Sequence, residues 1–188
     1  MAMVKPTFSD EIANLLHAAG GKPLNNCIQC GTCSGTCPAV DFMDYTPRRI
    51  IGMVQANMKE EVLGSNTFWY CASCYHCTVR CPADIDIAGT MYGLKRYSIW
   101  KHQHQEGLVG PVFSETFVKT ILRNGRSFEP LLATTYLFSA SVKEFIQEAV
   151  TGTKMMLKGR MPVVPTRIKR LDNFKRMVSR VIPLEAES

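Results

Sequence analysis

No cysteine follows Cys81 and none precedes Cys27, so all eight lie within less than a third of the 188-residue chain. That clustering speaks against a disulfide scaffold, which is usually a shorter chain with bridges spread through the fold. The sequence also lacks any run of 18 apolar residues. The nearest candidate, residues 130–142, contains Thr134, Thr135, Ser139 and Ser141 and runs into Lys143-Glu144. It is too short and too polar to span a bilayer. The first 21 residues carry Asp10 and Glu11 and no unbroken apolar core, so they do not read as a signal peptide. Glycine (13) and proline (10) are too few for a low-complexity or collagen-like chain. Strand signals are weak, because the short runs at 109–113 and 161–164 are interrupted by proline. The expectation is a soluble, cytoplasmic, mainly α chain whose thiols stay reduced, long enough to bury a sizeable core.

What is present divides unevenly. Residues 1–108 carry nine Lys/Arg and nine Asp/Glu, whereas residues 109–188 carry thirteen against seven. The whole net charge of +6 therefore sits in the second part. It concentrates in 154–180, where nine basic residues face one acid, Asp172. Three segments follow: an N-terminal helix over 1–26, a cysteine-bearing domain over 27–107 and a helical, basic region over 108–188.

Helix signals fill most of the chain. Thr7 and Asp10 fit a capping box, with Ile12, Leu15 and Leu16 on one face and Gly20-Gly21 as the stop. Thr46-Pro47 reads as N-cap and first helical residue, ahead of Ile50, Ile51 and Val54. Gly64-Ser65-Asn66 is a turn signal. Asp86 caps a further helix with Ile87, Met91, Leu94 and Ile99 at helical spacing. Beyond it, helices are expected at 114–123, 130–156 and 166–181. The last is amphipathic, with Ile168, Leu171, Phe174 and Val178 on one face of a basic segment. A face with both characters suggests docking to another protein over a self-packed or solvated helix, or a nucleic-acid patch.

The cysteines form an internal repeat. The first run is Cys27-Ile-Gln-Cys30-Gly-Thr-Cys33-Ser-Gly-Thr-Cys37-Pro38; the second is Cys71-Ala-Ser-Cys74-Tyr-His-Cys77-Thr-Val-Arg-Cys81-Pro82. Both have spacings of two, two and three, then proline, as in the cluster-binding run of bacterial-type ferredoxins. Two intervening residues let a tight loop point successive thiolates at neighbouring irons of one cube. The fourth iron lies too far round for the same loop, and three residues turn the last cysteine toward a second cluster. Crossed ligation follows. Cys27, Cys30, Cys33 and Cys81 are expected to hold one 4Fe-4S cluster, and Cys71, Cys74, Cys77 and Cys37 the other. Eight ligands are needed and eight cysteines are present.

Two four-cysteine zinc sites would use the same number of thiolates, but zinc favours Cys-x-x-Cys pairs well separated in sequence. A thioredoxin-type pair would stand alone before a helix in a βαβ pattern. Gly31 and Gly35 allow close backbone approach to a bound group. His76 and Arg80 read as solvated loop residues or as modifiers of a nearby cluster. His102 and His104 read as surface histidines, with no further ligand nearby in sequence.

The two runs, the apolar helix from Ile87, the overall length and the stretch Gly159-Arg160-Met161-Pro162 before a basic helix resemble the C subunit of heterodisulfide reductase. The cysteine runs alone are shared with a wider group, which includes the iron–sulfur subunits of succinate dehydrogenase, fumarate reductase and glycolate oxidase. Only 26 residues precede Cys27, no Cys-Cys-Gly module follows Cys81, and no transmembrane run is present. Those features lead to the expectation that the chain is distinct from the succinate dehydrogenase-like, glycolate oxidase-like and membrane-bound relatives.

The resemblance implies an α-helical ferredoxin fold of two pseudo-symmetric cysteine-loop/helix repeats, with additional helices at both ends. It also implies an electron-transfer role with no substrate site of the chain's own. Single electrons would pass from a flavin-containing subunit to a second partner, whose Cys-Cys-Gly modules reduce the disulfide of coenzyme M and coenzyme B during methanogenesis. A hydrogenase or formate dehydrogenase would supply the electrons. Nucleic acid and a membrane span are not expected. A relay subunit of another soluble oxidoreductase, or a freely diffusing ferredoxin-like carrier, is the alternative.

Overall fold

The computed structural model describes residues 6–17, 24–104, 107–140, 142–162 and 164–187, and no strand occurs among them. The helices are α1 (Phe8–His17), α2 (Thr32–Gly35), α3 (Pro47–Gln55), α4 (Lys59–Leu63), α5 (His76–Val79), α6 (Ile87–Trp100), α7 (Val109–Asn124), α8 (Glu129–Ala140), α9 (Val142–Leu157) and α10 (Leu171–Glu187). They fall into two compact units, residues 1–106 and Gly107–Glu187.

In the first unit, local signals set the helix starts. The Thr7 amide donates to Asp10 Oδ2 at 2.9 Å and the Asp10 amide to Thr7 Oγ1 at 3.3 Å, which closes the expected capping box of α1. Pro47 occupies N1 of α3 after an extended Thr46. Asp86 caps α6 by accepting from the Gly89 amide at 2.8 Å. The Leu16 side chain and the Gly20-Gly21 stop lie outside the described residues.

The apolar faces of these helices meet in one core. Ile12, Ile50, Ile51, Val54, Val62, Phe68, Ile85, Met91 and Leu94 are almost wholly removed from solvent. Each such side chain contributes roughly 1.5–3 kcal/mol of burial free energy. Helix α1 packs on α3 and α6, so the N-terminal helix is part of this core. Phe8 meets Tyr97 edge-on at 5.6 Å, and Tyr97 Oη donates to Glu11.

The repeat is visible as pseudo-symmetry. The short helices α2 and α5 each follow a cysteine loop and pack on one another. Ser34 Oγ accepts from the Arg48 amide at 3.0 Å in α3, and Thr78 Oγ1 accepts from the Ala88 amide at 3.0 Å in α6. These bonds align Pro47 with Ile87, hence Gly52 with Tyr92 and Gln55 with Lys95. The link between the copies is locked by reciprocal bonds. Asp44 and Asn66 exchange side-chain-to-amide bonds at 2.8 Å each, and buried Thr67 bridges the amide and carbonyl of Tyr45 at 2.9 and 3.0 Å.

In the second unit, α7 packs on α8 and α8 on α9, with aromatic contacts between Phe113 and Tyr136 and between Phe138 and Phe145. Helix α7 starts at Val109, five residues earlier than the sequence suggests. Pro111 falls in the first turn, where its missing amide has no helical acceptor to lose. The single helix expected over 130–156 is two helices, α8 and α9, packed against each other. Its apolar length satisfies two faces that meet, not one long face. The last helix begins at Leu171, not at 166. The Ile168 amide is taken by the Asn124 carbonyl at 3.1 Å, which holds the preceding residues against the end of α7 instead of in a helical turn. Ile168, Leu171, Phe174 and Val178 are half-buried while the other described residues of 164–180 are exposed, which matches their expected common face.

A candidate cluster-binding site

Both cysteine loops reverse direction through left-handed backbone. Gln29 and Ser73 hold the same place in the two loops, at φ 55° and 51°. Gly31 and Tyr75 hold the next shared place, at φ 84° and 62°, and each precedes a short helix. The residue after the second cysteine must therefore be left-handed in both copies. Glycine meets that need without strain in the first, and a tyrosine adopts it in the second. Successive cysteines thereby turn to one side of each loop. Gly35 lies within α2 and has open space where a Cβ would sit.

Two recesses result. The first encloses about 310 Å³ not filled by atoms, partly open to solvent, and is lined by Cys27, Cys30, Cys33 and Cys81 together with Arg48 and Ile87. The second encloses about 420 Å³ and is lined by Cys37, Cys71, Cys74 and Cys77 together with Tyr75, His76 and Ile87. Each recess thus takes three cysteines from one loop and one from the other. Ile87, the first residue of α6, lines both, so the recesses lie one side chain apart.

The thiols respond to these surroundings. Burial pushes the Cys33, Cys37 and Cys77 thiols up, and the neighbouring Cys71 and Cys74 add to the shift at Cys37. The Thr32 hydroxyl, 3.3 Å from Cys30 Sγ, pulls the Cys30 thiol down. Binding a metal group at the buried thiols therefore releases protons.

Polar groups reach sulfur unequally. The Ile85 amide donates to Cys81 Sγ at 3.4 Å, and Gln29 Nε2 donates to Cys27 Sγ at 3.5 Å. In the second copy Lys95 Nζ donates to the Cys71 carbonyl at 3.0 Å. Burial lowers the Lys95 ammonium, while the Cys71 thiolate opposes that shift. His76 and Arg80 are exposed, and neither donates to a sulfur among the described residues. His102 is exposed, but His104 is half-buried, with a buried Nδ1 that has no partner among the described residues. Sequence alone gives no role to Gln29, Gln55, Gly52, Arg48 or Lys95. The runs match in cysteine spacing but differ at the residues between, Gln29 against Ser73 among them, so the sequence does not single these residues out.

The donor set fits a cluster better than a single ion. Each recess presents four soft sulfurs, the ligand type that iron–sulfur clusters take. Among the described residues no three His, Cys, Asp or Glu side chains gather tightly enough for one metal ion. Zinc ligands, at about 2.3 Å from a common centre, would crowd together in that way.

Comparison with known proteins gives the kind of domain and the family. The 4Fe-4S dicluster domain matches residues 23–85. The C subunit of the ferredoxin/F420H2-dependent CoB–CoM heterodisulfide reductase of Methanosarcina acetivorans is 32% identical over 159 residues, which cover 80% of this chain and 93% of that protein. The chain belongs to the family of heterodisulfide reductase C subunits. The C subunit of the H2:CoB–CoM heterodisulfide, ferredoxin reductase of Methanothermobacter marburgensis is 39% identical over 83 residues, and the match spans 45% of its length. The C subunit of the ferredoxin:CoB–CoM heterodisulfide reductase of Methanosarcina mazei is 38% identical over 94 residues, spanning 57% of its length. The chain matches the dicluster domain and so provides for two 4Fe-4S clusters, a number that its eight cysteines match. No described helix is long and apolar enough to cross a membrane.

Proposed function

We propose that this chain is the electron relay of a heterodisulfide reductase complex. One 4Fe-4S cluster held by Cys27, Cys30, Cys33 and Cys81 and one held by Cys37, Cys71, Cys74 and Cys77 supply its one-electron redox centres. The observation that carries the reading is the pair of four-cysteine recesses separated by one shared side chain, Ile87.

The chain's own residues do the rest. The crossed cysteines tie the two repeats together, so ligand binding and folding are coupled. Ile87 keeps water from between the recesses, and the core on α3 and α6 holds their separation constant. The Gln29, Thr32 and Ile85 donors stabilise negative charge on sulfur in the first site. Electrons would enter from a flavin-containing partner and leave to a partner with Cys-Cys-Gly modules, where the disulfide of coenzyme M and coenzyme B is reduced. A hydrogenase or formate dehydrogenase would be the source. The basic, helical region over 108–188 would dock these partners, as its exposed apolar residues Phe138, Ile146 and Leu157 support.

Anaerobic purification of the tagged chain from its own cells, with the bound proteins sequenced, tests this. Recovery of one partner with a flavin site and another with paired Cys-Cys-Gly modules is the expected result. A lone chain with full clusters would sink the relay reading and leave a diffusing carrier.

A further inference from the structure

The two loops share cysteine spacing and left-handed turns but differ in what surrounds the first cysteine. Gln29 in the first loop has a side chain long enough to return to Cys27, and its Nε2 lies 3.5 Å from that sulfur. Its counterpart Ser73 has no such reach. The amide of Gln29 is also oriented. Gln55 Nε2 donates to the Leu24 carbonyl at 2.8 Å, which leaves Gln55 Oε1 free to accept from Gln29 Nε2 at 3.5 Å. With Gln55 turned that way, only the NH2 end of Gln29 can face it, and the same NH2 group faces Cys27. Space for this arrangement comes from Gly52 in α3. A Cβ there would stand 3.3 Å from Gln29 Nε2, tighter than ordinary contact. The aligned residue of α6 is Tyr92. The position of Gln55 is taken in the second copy by Lys95, which reaches a backbone carbonyl and not a sulfur. Arg48 lines the first recess and Lys95 reaches the Cys71 carbonyl of the second loop, while the amide relay occurs only in the first among the described residues.

Hydrogen bonds to cluster sulfurs are among the factors that set iron–sulfur potentials, because they favour the more negative, reduced state. We infer that Gln29, held by Gln55 over Gly52, is a tuning residue that raises the reduction potential of the cluster bound at Cys27, Cys30, Cys33 and Cys81 and leaves the other cluster untouched. Gln55 is a positioning residue in this device. The inference rests on the ligand grouping proposed above.

The test is an anaerobic redox titration of the full-length, cluster-loaded chain, followed by EPR of both clusters. Cys27→Ser marks which signal belongs to the first loop, and iron content is measured for every variant. Gln29→Ser, which copies the second loop, should lower the midpoint of the marked signal only. The expected change in its reduced-to-oxidised ratio is up to about tenfold, or about 59 mV for one electron. Gln29→Glu, which keeps the size but removes the donor, should move it further down. Gln55→Ala should move the same signal in the same direction by less. An unmoved or raised midpoint in Gln29→Ser and Gln29→Glu, with iron content intact, overturns the inference. So does an equal shift of both signals. Failure of the ligand grouping shows separately, as Cys81→Ser perturbing the unmarked signal.

Discussion

Replacing glycine by alanine inside a helix ordinarily stabilises a protein by up to about 1 kcal/mol, through lower entropy of the unfolded chain. Helix α6 contains two glycines for which the structure demands opposite outcomes. At Gly93 a Cβ would meet nothing within 4 Å, so Gly93→Ala should stabilise by about 0.5–1 kcal/mol. At Gly89 a Cβ would overlap the carboxylate of Asp86. That carboxylate accepts from the Gly89 amide at 2.8 Å and from Thr78 Oγ1 at 3.1 Å, and Thr78 in turn accepts from the Ala88 amide. Displacing it loses the helix cap, worth about 1 kcal/mol, and a charge-assisted bond worth about 1.5 kcal/mol or more. Set against the propensity gain, the net effect of Gly89→Ala is a loss of about 1–2 kcal/mol. For a domain of about 100 residues this means a melting point lower by roughly 4–16 °C, with Gly93→Ala moving the other way. Helical circular dichroism of the cluster-loaded chain on heating, under argon, measures both. Two stabilising substitutions, or two equal losses, would refute the account of the Asp86–Thr78 bridge.

Other outcomes follow from single contacts. Cys81→Ser should damage the cluster of the first loop and Cys37→Ser that of the second, read as loss of the corresponding EPR signal; the opposite pairing would overturn the crossed ligand set. Burial first, and the Glu11 carboxylate second, raise the Tyr97 phenol well above its ordinary value near 10. A raised folded value means stability that is complete below pH 10 and is lost as pH climbs past it. Tyr97→Phe should therefore flatten the fall in stability above pH 10, as equilibrium unfolding at several pH values would show. Gly125 closes α7 at φ 77° with the Ile168 side chain where a Cβ would go, so Gly125→Ala should lower the stability of the second unit by roughly 1–2 kcal/mol, measurable by amide exchange in α7. Removal of residues 160–188 should leave iron content unchanged and weaken recovery of the partner proteins; loss of iron would make this segment part of the cluster-binding fold.

What was legible in the sequence is what short-range chemistry writes there. The capping pairs Thr7/Asp10 and Asp86/Gly89 span three residues, and both appear in the structure where local rules place them. The spacing of the cysteines identified the kind of group to be bound, because a loop of two intervening residues constrains sulfur directions by itself. The common face of Ile168, Leu171, Phe174 and Val178 was readable for the same reason. Boundaries set by distant partners were not. The end of α7 captures the Ile168 amide from 44 residues away and delays the last helix. The stretch 131–151 contains no glycine or proline to mark a break, and the packing of α8 on α9 divides it. The setting of the first site is likewise tertiary. Gln29, Gly52 and Gln55 are ordinary residues in sequence, spread over two elements. Their meaning arises when α3 lies under the first loop and leaves room at Gly52 for an amide to reach Cys27. Local spacing determined that clusters are bound; long-range packing decided which residues surround each one.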